Sequence, residues 1–326
     1  MKAFVTGGTG FLGFHVIKQL LANNWQVTAM HRHNSNVADL EKLGVTLVEG
    51  TLADINELQK IVPDDLDAIF HIAGDTNMWA CNNERQFQVN VIATQNLVEV
   101  ALQKKVKRFI HTSSISAYGF HTKTITEDDK STAMQSNINY LKTKYSGEKI
   151  VKDAVHFRKL DAVILNPCAI IGSHDKQNWS QLFTMINNGD LPGVPSGEGS
   201  YCHVDEVAAA HIAAFEKGKI GENYILAGTD CAFLEVVTKI GKLLGKDTPN
   251  KTVPQWLLSM VGYTSYWLSL LTKKEPTMTP EKAIMVSKRV VASSHKSVTE
   301  LGYIDNISID VMLEDCYLWM KSEHLI

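Results

Sequence analysis

The sequence has few cysteines, no histidine pairs at metal-binding spacing and no excess of charge. Its five cysteines form no Cys-x-x-Cys pair and its twelve histidines form no His-x-x-x-His pair, so no metal site is predicted. Because five is an odd number and no signal peptide is evident, we expect reduced thiols in a cytoplasmic protein. The formal net charge of -3 offers no basic surface for nucleic acid. These absences leave a small molecule as the expected ligand.

Long uncharged hydrophobic runs are also absent, with one partial exception. Residues 252 to 272 contain no charged side chain, but Gly262 and several Ser, Thr and Tyr residues interrupt the apolar sequence. A membrane-spanning helix needs about 20 predominantly apolar residues, and this segment falls short of that. We therefore predict a helix that covers a pocket, in preference to contact with a membrane surface.

Short β-branched runs alternate with helical patterns through the first half of the chain. Such alternation is typical of a parallel sheet wrapped by helices. The predicted strands are residues 2–6, 26–31, 45–50, 67–74, 107–114, 161–167 and 223–228, and the predicted helices lie near 11–23, 54–62, 84–104 and 138–157. The pattern predicts an α/β fold with a doubly wound, Rossmann-type parallel sheet.

The regular alternation ends after Pro167. Loops rich in glycine and proline follow, as in NNGDLPGVPSGEGS, and the remainder of the chain is mainly helical in pattern. We predict a dinucleotide-binding domain made of residues 1–167 plus 202–228. Two insertions, 168–201 plus 229–326, are predicted to form a smaller, mainly helical substrate lobe over the carboxyl edge of the sheet, where such sheets bind ligands.

A glycine-rich turn follows the first predicted strand. The sequence VTGGTGFLGFH places Gly7, Gly10 and Gly13 between this strand and a helix, inside a βαβ unit. Glycines allow a tight turn and a close approach of the backbone to a pyrophosphate at the positive end of the helix. A glycine-rich surface turn is the alternative, but the flanking elements favour a dinucleotide site.

The end of the second predicted strand indicates which dinucleotide binds. NAD sites usually place Asp or Glu there for the ribose hydroxyls, whereas this chain has His31, Arg32 and His33 and no carboxylate before Asp39. A guanidinium can bind a 2′-phosphate through two hydrogen bonds. We therefore predict NADP (NADPH) rather than NAD, with a merely solvated Arg32 as the alternative.

Two Tyr-x-x-x-Lys pairs overlap in the sequence NYLKTKYSGEKIV: Tyr140 with Lys144, and Tyr145 with Lys149. On a helix each pair shares one face, but the two pairs point about 140° apart. Gly147 and the small or apolar residues that follow it lie within about 60° of Tyr140 and define an apolar stripe. We predict that Tyr140 and Lys144 face inward, whereas Lys149 faces solvent with Tyr145 near the boundary.

The inward pair has a chemical use. A neighbouring ammonium lowers a tyrosine pKa from about 10 and makes the phenol a useful general acid or base; a snorkelling lysine beside a packed tyrosine is the alternative. Upstream, FIHTSSISAYG ends a predicted strand at the same edge and presents Ser113 and Ser114. A hydroxyl there can hydrogen-bond a substrate carbonyl. Glycine turn, strand-end serine and Tyr-x-x-x-Lys, in this order, predict a redox site.

These motifs make the chain resemble an extended short-chain dehydrogenase/reductase of the NAD-dependent epimerase/dehydratase family. The branch that it resembles includes dihydroflavonol reductases, cinnamoyl-CoA reductases and bacterial hopanoid-associated epimerase-like proteins. The resemblance covers nearly the whole chain, through TGGTGFLG, HIAG, VNVIATQNLVEVA, TSSISAYG, YLKTKYSGE, LNPCAIIG and HVDEVAAAHIAAFEKGKIGENYILAG. One departure is Thr51, which stands where the family often has an Asp near the adenine.

The resemblance implies roles for individual residues. The catalytic ones are Ser114, Tyr140 and Lys144. The implied cofactor-binding residues are Thr6, Gly7, Gly10, Phe11, Leu12, Gly13, Arg32, Leu52, Ala73, Gly74, Asn90, Thr112, Ser113, Tyr140, Lys144, Asn166, Pro167 and Ala169. In many relatives the helices near 84–104 and 138–157 pair two subunits, so a homodimer is also implied.

The implied activity is NADPH-dependent reduction of a small, mostly apolar or aromatic aldehyde or ketone, with Tyr140 as general acid. The candidate pocket residues for such a substrate are Met78, Trp79, Ser114, Tyr118, Ile170, Trp179, Phe183 and Tyr201. A nucleotide-sugar epimerase or dehydratase with bound NAD(P) is the alternative, but residues 167–201 contain only His174 and Lys176 as basic side chains for a second pyrophosphate. A non-catalytic NADP-binding sensor is the third, and such proteins commonly lose the tyrosine or the lysine.

Overall fold

The computed structural model describes residues 1–326, which form two sheets and the helices around them. The strands are β1 (Lys2–Thr6), β2 (Gln26–His31), β3 (Thr46–Glu49), β4 (Ala68–His71), β5 (Arg108–Thr112), β6 (Ala162–Pro167), β7 (Ala169–Ile171), β8 (Glu198–His203), β9 (Asn223–Leu226), β10 (Thr229–Ala232) and β11 (Arg289–Val290). The α-helices are α1 (Phe11–Ala22), α2 (Ala38–Lys42), α3 (Ile55–Ile61), α4 (Asn83–Phe87), α5 (Ala93–Gln103), α6 (Asn139–Arg158), α7 (Trp179–Asn188), α8 (Val204–Lys217), α9 (Phe233–Leu244), α10 (Gln255–Thr272), α11 (Pro280–Ser287), α12 (His295–Leu301) and α13 (Ile309–Ser322).

Seven strands form one parallel sheet in the order β3-β2-β1-β4-β5-β6-β9. The order changes direction between β1 and β4, which is the crevice where open α/β sheets bind ligands. Every residue of β4, β6 and β9 is buried, as expected for parallel strands covered on both faces. The predicted Rossmann-type fold is confirmed.

Helices cover both faces of this sheet because side chains alternate along each strand. In β1, Val5 belongs to a core of 33 buried residues that includes side chains of α1 and α8. Its neighbour Phe4 belongs to a second core of 17 buried residues, which includes side chains of α3, α5 and α6. Helix α6 therefore lies on the face opposite α1, with its first turns near the end of β5.

A smaller, mainly helical lobe follows the main sheet, as predicted. It contains a short second sheet that the sequence analysis missed, in which β8 pairs with β7 and β11 on one edge and with β10 on the other. Helices α7, α9 and α13 contribute to its core of 16 buried residues. The predicted division between residues 201 and 202 falls inside β8, because this strand joins the second sheet as one unit.

Helix α10 corresponds to the uncharged segment of the sequence. It packs against α11 through a buried stripe of Leu258, Gly262 and Ser269. The approach is close, since a Cβ on Gly262 would lie 2.8 Å from the backbone nitrogen of Pro280. None of the helices combines the length and apolarity needed to cross a bilayer.

Candidate active site

The glycine turn brings the end of β1 against the end of β4. Gly7 has a φ of 77°, and a Cβ on it would lie 2.6 Å from the backbone nitrogen of Ala73. A Cβ on Gly13 would lie 2.1 Å from the carbonyl oxygen of Gly7. Both positions therefore exclude any larger side chain, and the turn can be this tight only because both residues are glycine.

The first turn of α1 presents backbone donors without acceptors. The N–H groups of Phe11, Leu12 and Gly13 have no hydrogen-bond acceptor in the protein, and the turn contains no acidic residue. Gly10, which precedes the helix, is exposed and supplies no side-chain cap. Unpaired N–H groups at a positive helix end form an anion site, so these residues fit the pyrophosphate of a dinucleotide.

Arg32 follows directly on β2, where an adenosine ribose would lie in this fold. Its side chain is exposed, and its guanidinium makes no ion pair or hydrogen bond with another side chain. Glu49, at the end of β3, pairs with the neighbouring His33 at 2.9 Å. Sequence reasoning missed Glu49, because its proximity to His33 depends on the pairing of β2 with β3.

A hydrogen-bonded chain fixes the loop after β4. The Oγ1 of Thr6 lies 2.8 Å from Nδ1 of His71 and accepts a bond of 3.3 Å from the N–H of Ala73. The Nε2 of His71 lies 3.0 Å from Oγ1 of Thr94. Burial lowers the pKa of His71 to about 3, and the charge of Lys144 acts in the same direction. His71 is therefore a neutral structural link between β1, β4 and α5.

Lys144 projects from α6 to the end of β5. Its Nζ donates a hydrogen bond of 2.9 Å to the carbonyl oxygen of Thr112, whose own hydroxyl lies 2.8 Å from Nε2 of His211 on the opposite face. Burial lowers the pKa of Lys144 to about 8, while the carboxylate of Glu148 acts to raise it. A Cβ on Gly74 would lie 3.8 Å from the Lys144 Nζ. The ammonium therefore lies beside the loop after β4.

Tyr140 lies one turn before Lys144 and next to Ser114. Burial raises the pKa of Tyr140 above its ordinary value, whereas a hydrogen bond with Ser114 acts to lower it and the charge of Asp75 to raise it. Ser114 is half-buried and caps a short 3-10 helix by accepting a bond of 3.1 Å from the N–H of Ser116. The two hydroxyl groups of Tyr140 and Ser114 can therefore contact one substrate oxygen.

The two Tyr-Lys pairs have different environments. Tyr140 and Lys144 are both buried. Lys149 is exposed and pairs with Asp153 at 2.7 Å, and Tyr145 is half-buried. Only the first pair adjoins the carboxyl edge of the sheet.

Asn90 joins α6 to the loop after β4. It lies in a π-helical turn, Gln88–Ile92, that interrupts the helix predicted near 84–104. Its side-chain oxygen accepts a bond of 2.8 Å from the N–H of Asp75. Its side-chain nitrogen donates bonds of 2.9 Å to the carbonyl oxygen of Asp75 and 3.1 Å to the hydroxyl of Thr143. A Cβ on Gly147 would lie 2.4 Å from the Asn90 carbonyl oxygen. Asn90, predicted to bind cofactor, thus uses its amide within the protein.

Glu148 is the centre of a buried polar cluster behind the catalytic pair. Its carboxylate accepts hydrogen bonds from the hydroxyl of Ser113 at 2.8 Å and from the amides of Asn166 and Asn223 at 2.8 and 2.9 Å. Asn166 also donates a bond of 3.1 Å to the carbonyl oxygen of Ser114. The side chains of Ser113 and Asn166 point into this cluster and leave their backbone groups for a ligand, so the cofactor contacts of both residues stay predictions.

Other predicted cofactor positions are less enclosed. Leu52 is half-buried, and its carbonyl oxygen accepts a bond of 3.0 Å from the amide of Asn96. Pro167 is buried at the end of β6, and Ala169 is half-buried at the start of β7. These residues lie at or just after strand ends along the carboxyl edge.

The predicted pocket residues divide into two groups. Half-buried positions, accessible to a ligand, are Met78, Trp79, Ile170 and Trp179. Tyr118, Phe183 and Tyr201 are instead at most 5% exposed and belong to the hydrophobic cores. Aromatic side chains fill cores as readily as pockets, so contact of these three residues with a substrate stays a prediction.

Helix α10 is joined to this side of the site. The indole N–H of Trp79 donates a bond of 3.1 Å to Oγ of Ser269, and the hydroxyl of Thr279 donates one of 2.7 Å to the carbonyl oxygen of Met78. The α10–α11 pair thus holds the loop that follows β4. Sequence patterns could not reveal this contact between segments almost 200 residues apart.

Comparison with known proteins agrees with this geometry. The sequence model of the NAD dependent epimerase/dehydratase family matches residues 3–227. A putative dihydroflavonol 4-reductase of Synechocystis sp. is 26% identical over 330 residues, which cover 98% of this chain and 94% of that protein. Sterol demethylase protein B of Methylococcus capsulatus is 26% identical over 332 residues, with 100% of both chains covered. The solved structure of gox2253 superposes with a TM-score of 0.85 at 29% identity over 98% of each chain.

Proposed function

The chain belongs to the NAD dependent epimerase/dehydratase family of NAD(P)-dependent enzymes, and we propose that it reduces a small, mostly apolar or aromatic aldehyde or ketone with NADPH. The observation that carries this proposal is the meeting of Tyr140, Lys144 and Ser114 at the carboxyl edge of the sheet. The glycine turn lies at the same edge, beside the loop that adjoins Lys144. A hydride donor and a proton donor can therefore act on one carbonyl group.

In the proposed reaction Tyr140 is the general acid. NADPH, when bound, supplies the hydride to the carbonyl carbon. Tyr140 donates its phenolic proton to the carbonyl oxygen, and Ser114 donates a hydrogen bond that positions this oxygen. The phenolate that remains takes a proton from solvent before the next turnover.

Lys144 makes the proton transfer favourable. Its ammonium stabilises the phenolate of Tyr140 and so lowers the pKa of the tyrosine when the site is assembled. Only one of its three N–H groups is used by the carbonyl of Thr112. Two donors remain for the phenolate and for a ribose hydroxyl.

NADPH is proposed over NADH because of Arg32. The guanidinium is exposed and has no partner within the protein, and no carboxylate follows it before Asp39. A 2′-phosphate satisfies such a guanidinium through charge-assisted hydrogen bonds. The carboxylate of Glu49, which could accept from a ribose hydroxyl, is engaged by His33.

An apolar substrate is proposed over a nucleotide sugar because neither the basic residues of segment 168–201 nor the single arginine of the smaller lobe is free to bind a second pyrophosphate. Lys176 pairs with Asp39 at 3.3 Å, and Arg289, the one arginine after residue 158, pairs with Glu198 at 3.2 Å. His174 packs among aromatic rings. The names of two relatives, a dihydroflavonol reductase and a sterol demethylase protein, also refer to ring compounds of low polarity.

The proposal is tested by NADPH oxidation with a panel of aromatic and aliphatic aldehydes, ketones and dihydroflavonol-like compounds. We expect turnover with at least one apolar carbonyl compound and none with nucleotide sugars. A nucleotide sugar that copurifies with the protein, or that is converted by it with retained NAD, would contradict the proposal and favour the epimerase alternative.

Two further features stay predictions. A homodimer through the helices of residues 84–104 and 138–157 is expected from the family, and a monomeric molar mass at all concentrations in light scattering would contradict it. The division into a dinucleotide domain, 1–167 plus 202–228, and a substrate lobe, 168–201 plus 229–326, is tested by substrate-dependent protection of the second group of residues in hydrogen exchange.

A further inference from the structure

Helix α10 exposes most of its large apolar side chains. The buried stripe that faces α11 contains Leu258, Gly262 and Ser269. The outer face, on the opposite side, consists of Trp256 (63% exposed), Met260 (56%), Tyr263 (56%), Trp267 (66%) and Leu271 (83%). A surface helix ordinarily has the reverse arrangement, with large apolar residues turned to the core.

The outer face is continuous. At about 100° per residue, its five side chains fall within a stripe of about 80°, centred nearly opposite Leu258. Single exposed apolar residues are common on soluble proteins, but a contiguous patch of this kind marks an interaction site. Three of the five side chains are Trp or Tyr, the residues that are enriched at the boundary between lipid and water.

Lysine residues flank the helix at both ends. Lys251 precedes α10, and Lys273 and Lys274 follow it; all three are exposed, and none forms an ion pair. No acidic residue lies between Thr252 and Lys274. The apolar stripe is therefore flanked by cations at both ends. This arrangement complements a surface that has an apolar interior and a negatively charged outer layer.

We propose that the outer face of α10 docks on the surface of an anionic lipid bilayer. The helix lies in the plane of the interface, its aromatic and aliphatic side chains enter the acyl boundary, and the three lysines contact lipid head groups. This arrangement needs no spanning segment, in agreement with the lengths and apolarity of the helices. The proposal departs from the preference drawn from the sequence, which favoured a helix that covers a pocket over contact with a membrane surface.

The area of the face favours a membrane over a second copy of the chain. A helix of 18 residues is about 27 Å long and about 10 Å wide, which gives a footprint of roughly 300 Å². A stable dimer buries about 800 Å² on each partner. A bilayer has no such minimum, because insertion of a few side chains and attraction to anionic lipids are sufficient for reversible binding.

Docking has a consequence for the neighbouring loop. Ser269 of α10 holds the indole of Trp79, and Glu275, just after the helix, accepts a bond of 2.7 Å from the amide of Asn77. Helix α10 therefore lies between a bilayer on its outer face and the loop that follows β4. The docking inference does not rest on the proposed reduction, since its evidence is exposure and charge alone.

The test is flotation of the full-length protein with vesicles of phosphatidylcholine and with vesicles of equimolar phosphatidylcholine and phosphatidylglycerol. The docking variant is Trp256→Ser/Trp267→Ser/Leu271→Ser. Its matched control, Phe157→Ser/Ile220→Ser/Leu318→Ser, removes three apolar side chains elsewhere that are 55% to 73% exposed. Circular dichroism and thermal unfolding verify that both variants are folded.

We expect the wild type and the control variant to float with the anionic vesicles, and the docking variant to lose at least about tenfold in its bound-to-free ratio. Lys273→Gln and Lys274→Gln should each lower this ratio roughly fivefold. The proposal is overturned if the wild type binds neither kind of vesicle or binds both equally well. It is also overturned if the docking variant binds anionic vesicles as well as the wild type does. If the wild type is a dimer that does not bind vesicles, and the docking variant is a monomer, the outer face is an interface between two copies of the chain and the proposal is overturned.

Discussion

Lys144 and Thr112 meet at the carboxyl edge of the main sheet, where the Lys144 Nζ donates a hydrogen bond of 2.9 Å to the Thr112 carbonyl oxygen. This bond joins the first turns of α6 to the end of β5. It brings Tyr140, one turn earlier on the helix, next to Ser114, which follows two residues after Thr112. This contact between a helix and a strand thus helps to arrange all three catalytic groups.

Burial of the Lys144 ammonium predicts that the free energy of unfolding depends on pH through this group. The pKa of Lys144 is about 8 in the folded protein and about 10.5 when unfolded, so the unfolded chain binds more protons between these values. The free energy of unfolding therefore rises with pH in this window through this group. Below pH 8 both states are protonated, and the cost of burying the charge is fully present.

Lys144→Met removes this titration. We expect the variant to exceed the wild type in free energy of unfolding at pH 7, and the difference to shrink by roughly 2 kcal/mol by pH 10. Urea unfolding of both proteins at the two pH values measures it. A difference that is independent of pH would show that the pKa of Lys144 is not lowered in the folded protein.

The charge of Lys144 also predicts the pH dependence of the reaction. Below a pH of about 8 the ammonium is present and stabilises the phenolate of Tyr140. Above it, loss of the charge makes Tyr140 a weaker acid. The value of kcat/KM for carbonyl reduction should be level below pH 8 and fall above it, and a rise through this range would contradict the assignment of Tyr140 as acid.

Removal of Arg32 should affect one cofactor only. Arg32→Ala is expected to raise the Kd of NADPH about 10- to 100-fold, because charge-assisted hydrogen bonds to the 2′-phosphate are lost. The Kd of NADH should stay unchanged. Fluorescence titration of both cofactors measures this, with Arg158→Ala as control, since Arg158 already pairs with Glu99. Tighter binding of NADH than NADPH by the wild type would refute the proposed preference.

Loss of the Glu148 carboxylate should destabilise the fold strongly. Glu148→Ala removes the buried acceptor that Ser113, Asn166 and Asn223 share, so that each of them loses one hydrogen bond, at a cost of about 3 kcal/mol or more in the free energy of unfolding. Asp153→Ala, which breaks an exposed ion pair on the same helix, should cost less than about 1 kcal/mol. Equal losses in urea unfolding would mean that the cluster contributes no more than a surface pair.

Local patterns were sufficient for much of the site. Helical phase alone separated Tyr140 from Tyr145, because burial along a helix follows the 3.6-residue period. The glycine turn was equally evident, since a strand, Gly7, Gly10, Gly13 and a helix follow one another directly in the sequence. Such features depend on neighbours in the chain, and the chain order is what a sequence records.

Features that depend on distant pairing were missed. The partners Glu148 and Asn223 are 75 residues apart, and only the packing of α6 against β6 and β9 brings them together. The π-helical turn that contains Asn90 is only five residues long, which is too short for a periodic pattern in the sequence to reveal it. Tyr118 and Phe183 belong to hydrophobic cores, and composition does not distinguish an aromatic side chain in a core from one in a pocket.

The most direct test of the account compares Tyr140→Phe with Tyr145→Phe in NADPH-dependent reduction of the best carbonyl substrate. Each variant removes one hydroxyl group from the same helix, and only Tyr140 adjoins Ser114 and Lys144. We predict that kcat falls at least about 100-fold in Tyr140→Phe, while Tyr145→Phe keeps the activity of the wild type. Retention of most activity by Tyr140→Phe, with loss in Tyr145→Phe, would contradict the account.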